Sequence, residues 1–317
     1  MTPEQSQRES RFDSKESDAD PSVSIVVINH NYSQYVCEAI DSALHQTYRN
    51  IKVFVVDDGS TDESVEIISS RYGNEVTLIT QENMGIVGTR NKILSSIDAD
   101  FLIQLDADDY LASDYVQEAV NLAKKEQAHI IYCQVQHFGR VNFASIYPDF
   151  NLEALKHENY IGAYAMISMM FLREKGIVYD TYLSGLGYED WDFALGLCLA
   201  GAKAVLLDKP LYYYRKHESG LSRNDMQEAD LLKLLLVRHH IWQKYNAQYP
   251  DEFRHFSAEI DLMLQIIRSL EEKNHLAAEN QELAAETQAM RQSHQWRIGG
   301  AILVPVRFAR RLVRKSK

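Results

Sequence analysis

The chain has 317 residues, 45% of them hydrophobic and 25% charged, and three cysteines far apart in sequence. It is long enough to bury a full core, has neither disulfide-scaffold nor zinc-site cysteine spacing, and its odd thiol count suits a reducing cytosol. The net charge of −12 divides into −20 over residues 1–286 and +8 over 287–317, so the acidic body excludes general nucleic-acid binding and the basic tail needs its own reading.

Residues 1–20 are polar and mixed in charge, which predicts a disordered leader and not a secretory signal. Val23–Ile28 reads as a buried strand, and Val36, Ile40, Ala43 and Leu44 give 33–45 a helical spacing. Val53–Val56 is a second strand. Ser60-Thr61-Asp62-Glu63 has the form of a capping box, opening a helix that buries Val65, Ile67 and Ile68. Val76–Ile79 predicts a strand, 85–97 a helix, Phe101–Leu105 a strand, 113–126 a helix and 129–135 a strand. Such alternation implies a parallel sheet covered on both faces. Residues 160–171 are apolar and leave a strand and a buried turn both open. A helix follows at 189–200, with short strands at 204–207 and 211–214 around Pro210.

Beyond Asn224 the chain reads as helical. Leu231, Leu234, Leu235, Arg238 and Ile241 mark one face, and a second helix runs over about 252–290. Leu276, Leu283 and Met290 recur at seven residues, but Lys273, Asn280 and Thr287 interrupt the seam. A weak coiled coil, hence a homodimer, and a plain surface helix both stay open. In the tail, Val306, Ala309, Leu312 and Val313 fall on one helical face and Arg307, Arg310, Arg311 and Arg314 on the other, with Trp296 and Phe308 as interfacial anchors. That pattern suits an anionic membrane surface, with packing on a partner as the alternative. No apolar stretch reaches the roughly 18 residues a transmembrane helix needs. The expected organisation is a leader (1–20), an α/β domain (21–224), a helical extension (225–292) and a basic amphipathic tail (293–317), in a cytoplasmic protein peripheral to the inner face of the cell membrane.

Two strands end in clustered acids: Asp57-Asp58-Gly59-Ser60 and Asp106-Ala107-Asp108-Asp109. Ligands of open α/β sheets bind beyond such strand ends. Carboxylates repel a phosphate, but they can hold a divalent cation that holds a diphosphate. Taken alone, an Asp-x-Asp caps helices as readily as it binds metal. There is no Gly-x-Gly-x-x-Gly after the first strand, no Gly-x-x-x-x-Gly-Lys-Ser/Thr and no Gly-x-Ser-x-Gly, which disfavours a dehydrogenase, a P-loop enzyme and an α/β-hydrolase.

Five ordered segments add specificity: 23–32, Asp57–Asp62, Asn83-Met84-Gly85…Arg90-Asn91, Asp106–Asp109, and Gly187-Tyr188-Glu189-Asp190-Trp191-Asp192. Together, over about residues 22–220, the chain resembles the family 2 glycosyltransferases. The resemblance implies a GT-A-like, Rossmann-type, mostly parallel α/β sheet flanked by helices, and transfer of a sugar from a nucleoside diphosphate sugar, a UDP-sugar by expectation, to a hydroxyl of a glycan or lipid-linked acceptor in cell-surface polysaccharide synthesis, with inversion and with Mn²⁺ or Mg²⁺. It also implies roles. Asp58 would accept from the base N–H, leaving Ser60 to cap the helix. Asn29, His30 and Asn31 would line the base and ribose pocket, although the family often carries Pro-Thr-Tyr or Asn-Asn-Tyr near Ile28-Asn29-His30. Gly85 and Gly88 would let the ligand approach the backbone, and Arg90 would meet phosphate or ribose oxygens. Asp106 would face the ribose. Asp108 would ligate the metal, with Asp109 as the alternative ligand and His217 as a metal or phosphate partner. Asp190 would be the general base, with Asp192 as the runner-up or else an outward-facing or helix-supporting acid, and Glu189 and Trp191 would contact the acceptor. A non-catalytic nucleotide-sugar scaffold on the same fold is the competing reading, and a nucleotidyltransferase a third.

Overall fold

The computed structural model describes residues 20–217 and 228–292. The sequence readings at 1–19, at 218–227 and in the tail 293–317 lie outside the described residues. Strand β1 (Val23–Asn29) is buried along its whole length, as a β-branched run covered on both faces should be. Its side chains alternate between two apolar layers: Ile25 and Val27 pack with one cluster, Val26 and Ile28 with the other. On one side β1 pairs in parallel with β2 (Ile51–Asp58), which pairs with β3 (Thr77–Gln81). On the other it pairs in parallel with β4 (Phe101–Asp106). The linking helices are α1 (Val36–Leu44), α2 (Ser64–Tyr72) and α3 (Gly85–Ser96). The expected strand–helix alternation therefore holds through β4.

Beyond β4 the sheet becomes mixed. The order is β3-β2-β1-β4-β8-β6-β9-β5, with β7 on the flank of β6. After β5 (Tyr110–Leu111) and α4 (Tyr115–Glu126) comes β6 (Ile130–Gly139), then β7 (Phe143–Ser145), α5 (Leu152–His157), β8 (Met166–Ser168) and α6 (Met169–Lys175). Strand β8 lies antiparallel between β4 and β6, so the ambiguous stretch 160–171 supplies both a short strand and a helix start. A 3-10 turn (Thr181–Leu183) precedes α7 (Glu189–Leu199). The two short strands expected around Pro210 form one, β9 (Ala204–Lys216), parallel to β6. Its register slips beside Gln134, opposite Pro210; proline has no N–H to give the ladder and is tolerated at such a bulge.

Helix α8 (Glu228–Gln248), a short turn α9 (Pro250–Phe253) and α10 (Ser257–Gln292) complete the described chain. Val237, Ile241 and Tyr245 recur at four residues and, with Trp242, pack in the same cluster as Trp191, Phe193 and Leu155. The buried stripe of α8 is thus shifted from the Leu231–Ile241 face read in the sequence. The helices of residues 228–263 share a core with the α/β sheet. Ile260, Met263 and Ile267 of α10 are buried, whereas Leu276 is 58% exposed.

Candidate active site

The parallel registers bring the acidic strand ends together. Asn29 lies opposite Asp57, and Ile28 lies between Val56 and Asp106. Asp57 is buried and accepts from the Asn29 side chain (2.7 Å), the Ser60 hydroxyl (2.7 Å) and the Ser60 amide (2.8 Å). Ser60 is therefore a tie between strand ends and not a helix cap. Helix α2 starts instead at Ser64, whose amide and hydroxyl donate to Asp62. Asn29 is fully buried in this tie, so it is a scaffold residue. Asn31, with φ of 60°, accepts from the Thr61 amide at 2.7 Å and shapes the same turn. Gly59 has φ of +73°, and a Cβ there would sit 2.7 Å from the Asn83 amide nitrogen. Only glycine lets these two turns meet.

Asp58 is buried and accepts from Gln81 Nε2 (2.8 Å) and the Met84 amide (2.9 Å) through Oδ1. Its Oδ2 makes no hydrogen bond among the described residues. His30 is exposed and donates from Nδ1 to the Asp58 carbonyl at 2.8 Å, with Asn83 Nδ2 3.2 Å from its ring. Gln81 and Asn83 thus join the expected set. Asn83 stands in the Asn83-Met84-Gly85 segment without an assigned role, and Gln81 carries no signal of its own, because an amide beside a strand end looks like an ordinary turn residue.

Arg90 departs from its expected role. It is 3% exposed, and its guanidinium donates to Glu189 Oε1 (2.9 Å) and Asp106 Oδ1 (3.1 Å). Burial disfavours its charge, but Asp106, Glu189 and Asp190 hold the proton on, above the ordinary arginine value. Its guanidinium joins two acidic segments, 106 and 189, through Nη1 and Nη2. Glu189 is buried by that pairing. The Asp106 side chain stays 41% exposed.

The three acids after β4 have different fates. Asp109 is 2% exposed, and both its oxygens are occupied, by Tyr212 Oη (2.5 Å) and the Arg215 amide (2.7 Å). Burial, then the charges of Asp108 and Asp106, push its pKa well up. Asp109 is thus a structural acid that pins β9, which corrects its reading as an alternative metal ligand. Asp108 lies nearer the surface, with Oδ2 2.8 Å from His217 Nε2. Burial and Asp106 raise its pKa against the opposing His217 contact. Arg215 secures this corner by donating to the Asp108 carbonyl (2.8 Å), pairing with Glu38 and lying over the Tyr35 and Phe138 rings.

Among the described residues no group of three or more His, Cys, Asp or Glu forms a ready metal cage. The donor set nevertheless suits a hard cation shared with a ligand. Asp108, in the turn after β4, and His217, just past the end of β9, present a carboxylate and an imidazole at one point, and Asp106 lies close enough to perturb Asp108. Diphosphate oxygens and water would complete the coordination.

Asp190 begins α7. Its Oδ1 accepts from Asn159 Nδ2 (3.1 Å) and the Trp191 amide (2.9 Å). Burial, then the neighbouring Glu189, push its pKa up to about 6 against the pull of Arg90 and these two donors. Trp191 does not face the cleft. It is 1% exposed, and its indole N–H donates to the Leu155 carbonyl at 2.6 Å. It belongs to the core, which corrects its acceptor-stacking role. Asp192 is buried on Lys244, as a helix-supporting acid.

Residues 24–180 match the sequence profile of glycosyl transferase family 2. The glycosyltransferase GlyA of Streptococcus pneumoniae is 28% identical over 221 residues, covering 64% of this chain but 32% of that protein. The chain thus spans about a third of GlyA's length. An Escherichia coli UDP-Glc:α-D-GlcNAc-diphosphoundecaprenol β-1,3-glucosyltransferase, WfaP, is 25% identical over 227 residues, covering 69% of this chain and 88% of that protein. Among solved structures, Staphylococcus aureus TarS in complex with UDP-GlcNAc superposes with a TM-score of 0.58 at 20% identity, covering 74% of this chain and 73% of that one. The mannosyltransferase PcManGT of Pyrobaculum calidifontis, in complex with GDP-Man and Mn²⁺, gives 0.54 at 16% identity, covering 89% and 83%.

Proposed function

The chain is a family 2 glycosyltransferase, and on that premise we propose that it transfers a sugar from a UDP-sugar to a hydroxyl of a lipid-linked or glycan acceptor, inverting the anomeric carbon. One observation carries the reading. Arg90 ties Asp106 to Glu189, so a donor-side acid and the segment bearing Asp190 share one cleft. The bound UDP-GlcNAc of TarS and the lipid-diphosphate acceptor in the name of WfaP favour this donor and acceptor class.

In the reaction, the free oxygen of Asp58 takes the uracil N–H and Asp106 takes the ribose hydroxyls. Asp190, ionised at neutral pH, accepts the proton of the acceptor hydroxyl. The acceptor oxygen forms its bond to the anomeric carbon as the bond to the diphosphate oxygen breaks. That electron pair leaves on UDP, and attack from the opposite face inverts the centre. Asp108 and His217 would hold Mn²⁺ or Mg²⁺, whose charge neutralises the departing diphosphate.

The test is nucleotide release from UDP-glucose, UDP-GlcNAc and GDP-mannose with Mn²⁺, with and without extracted lipid-linked acceptors. Release from a UDP-sugar that rises with acceptor and is lost in Asp190→Asn supports the assignment. Release unaffected by that substitution rejects it.

A further inference from the structure

We propose that helix α8 is a strut for the catalytic base, with Lys244 as the positioning residue that pins the loop leading into Asp190 and the first turn of α7. Lys244 Nζ lies 3.0 Å from Asp180 Oδ2 and 2.9 and 2.7 Å from the two oxygens of Asp192. One ammonium therefore holds both ends of the segment 180–192. His240, one turn earlier, places Nε2 2.9 Å from Asp180 Oδ2 and stacks on Tyr182 at 3.9 Å between centroids. Tyr245 Oη donates to the Asp192 carbonyl at 2.8 Å.

The pinned segment needs such a hold. Gly185, Gly187 and Tyr188 all have positive φ, of 78°, 82° and 62°, so no regular helix or strand stiffens the approach to Asp190. The same helix grips the other partner of the base. Arg238 donates to the His157 carbonyl (2.8 Å) and Trp242 Nε1 to the Lys156 carbonyl (2.7 Å), immediately before Asn159, which donates to Asp190. Side chains of α8 thus fix both segments that orient one carboxylate. Burial opposes ionisation of Asp180, but His240, the Tyr182 amide and Lys244 outweigh it, so the pin is charged at neutral pH. The nucleotide half of the cleft, with Asp58 and Asp106, is built on β2 and β4, which α8 does not hold by these contacts. A helix remote in sequence therefore sets the geometry of proton removal without touching the donor.

The strut's catalytic consequence rests on Asp190 being the base, and the experiment separates the two. In the full chain, Asp180→Asn loosens one end of the pin while Lys244 still pairs with the buried Asp192. Lys244→Arg keeps the charge. Amide hydrogen exchange across 181–190, affinity for UDP with Mn²⁺, and UDP release from UDP-glucose and UDP-GlcNAc are measured. The expected result for Asp180→Asn is exchange across 181–190 faster by about fivefold or more, kcat lower by about tenfold, and UDP affinity within about twofold of the parent. Lys244→Arg should retain most of the protection. Unchanged exchange in Asp180→Asn, or UDP affinity falling in step with kcat, overturns the strut. Full turnover in Asp190→Asn defeats the base assignment alone, since the exchange result still decides whether the loop is pinned.

Discussion

At the residue scale, two carboxylates two positions apart do opposite work because of their partners. Asp190 lies in a low-dielectric corner beside Glu189, with a pKa near 6. With Asp190 as the proposed base, its ionised form is the active one, so kcat/KM should fall about tenfold per pH unit below about 6, and Asp190→Asn should abolish that limb with a loss of about 10²–10⁴-fold. The sign for stability is the reverse. A carboxyl whose folded pKa is raised stabilises the fold while protonated, and that contribution is lost as pH rises from the ordinary aspartate value through about 6. Asp190→Asn should therefore be more stable than the parent at pH 7.5, by about 1–3 kcal/mol, and melt at a higher temperature, with the gain vanishing at pH 4. Burial raises the Asp192 pKa as well, against the pull of Lys244, but both its oxygens hold the Lys244 ammonium, so Asp192→Ala should destabilise by breaking that buried pairing. Asp108 and Asp109 differ similarly. Asp108→Ala should weaken Mn²⁺-dependent UDP binding by about 10–100-fold, read by titration calorimetry. Asp109→Ala should lower the melting temperature first, since it strands Tyr212 Oη and the Arg215 amide. The motif alone left these acids interchangeable, because what separates them sits about a hundred positions later, on β9.

At the element scale, the parallel half of the sheet was legible because each strand is a compact apolar run followed by a helix-period stretch, and local pattern suffices there. Strands β5 and β7 were not legible, and β8 was only one of two readings left open for 160–171. They are two or three residues long and exist through pairing with distant strands, which no window of sequence contains. The role given to Trp191 failed for a related reason. Residues 191–198 are all buried, so α7 has no polar face along that stretch to show that its indole turns inward, between α5 and α8. The same packing contradicts any simple removal of the C-terminal helices. Val237, Ile241, Trp242, Tyr245, Phe253 and Phe256 complete the cluster containing Trp191 and Leu155, and full burial of each such side chain is worth about 1.5–3 kcal/mol. Lys156, with no exposed surface, is capped by Glu153 and by Glu252 of α9. A chain ending at residue 224 should lose its cooperative melting transition and bind hydrophobic dye. A sharp transition in that fragment, near the temperature of the whole chain, would show that the sheet is self-sufficient.

At the scale of the whole molecule, charge divides the chain into an acidic part, residues 1–286, and a basic tail. Among the described residues no helix is long and apolar enough to cross a membrane, and residues 1–286 carry −20, so an anionic bilayer repels the body. The lipid-linked acceptor proposed above would stay in the bilayer, and the site would have to be brought to it. The eight basic residues beyond Thr287 are suited to that task, at about 1 kcal/mol each near an anionic surface before losses to screening and chain ordering. The full chain should therefore sediment with vesicles containing phosphatidylglycerol at low salt, ignore neutral phosphatidylcholine vesicles, and dissociate as salt shortens the Debye length. Truncation after Gln292 leaves all the described residues in place. It should abolish vesicle binding and depress transfer to lipid-linked acceptor while UDP affinity stays unchanged. Undiminished vesicle binding by the truncated chain would place the attraction on the acidic body, against its own field, and would remove the tail from the account of how this enzyme meets its acceptor.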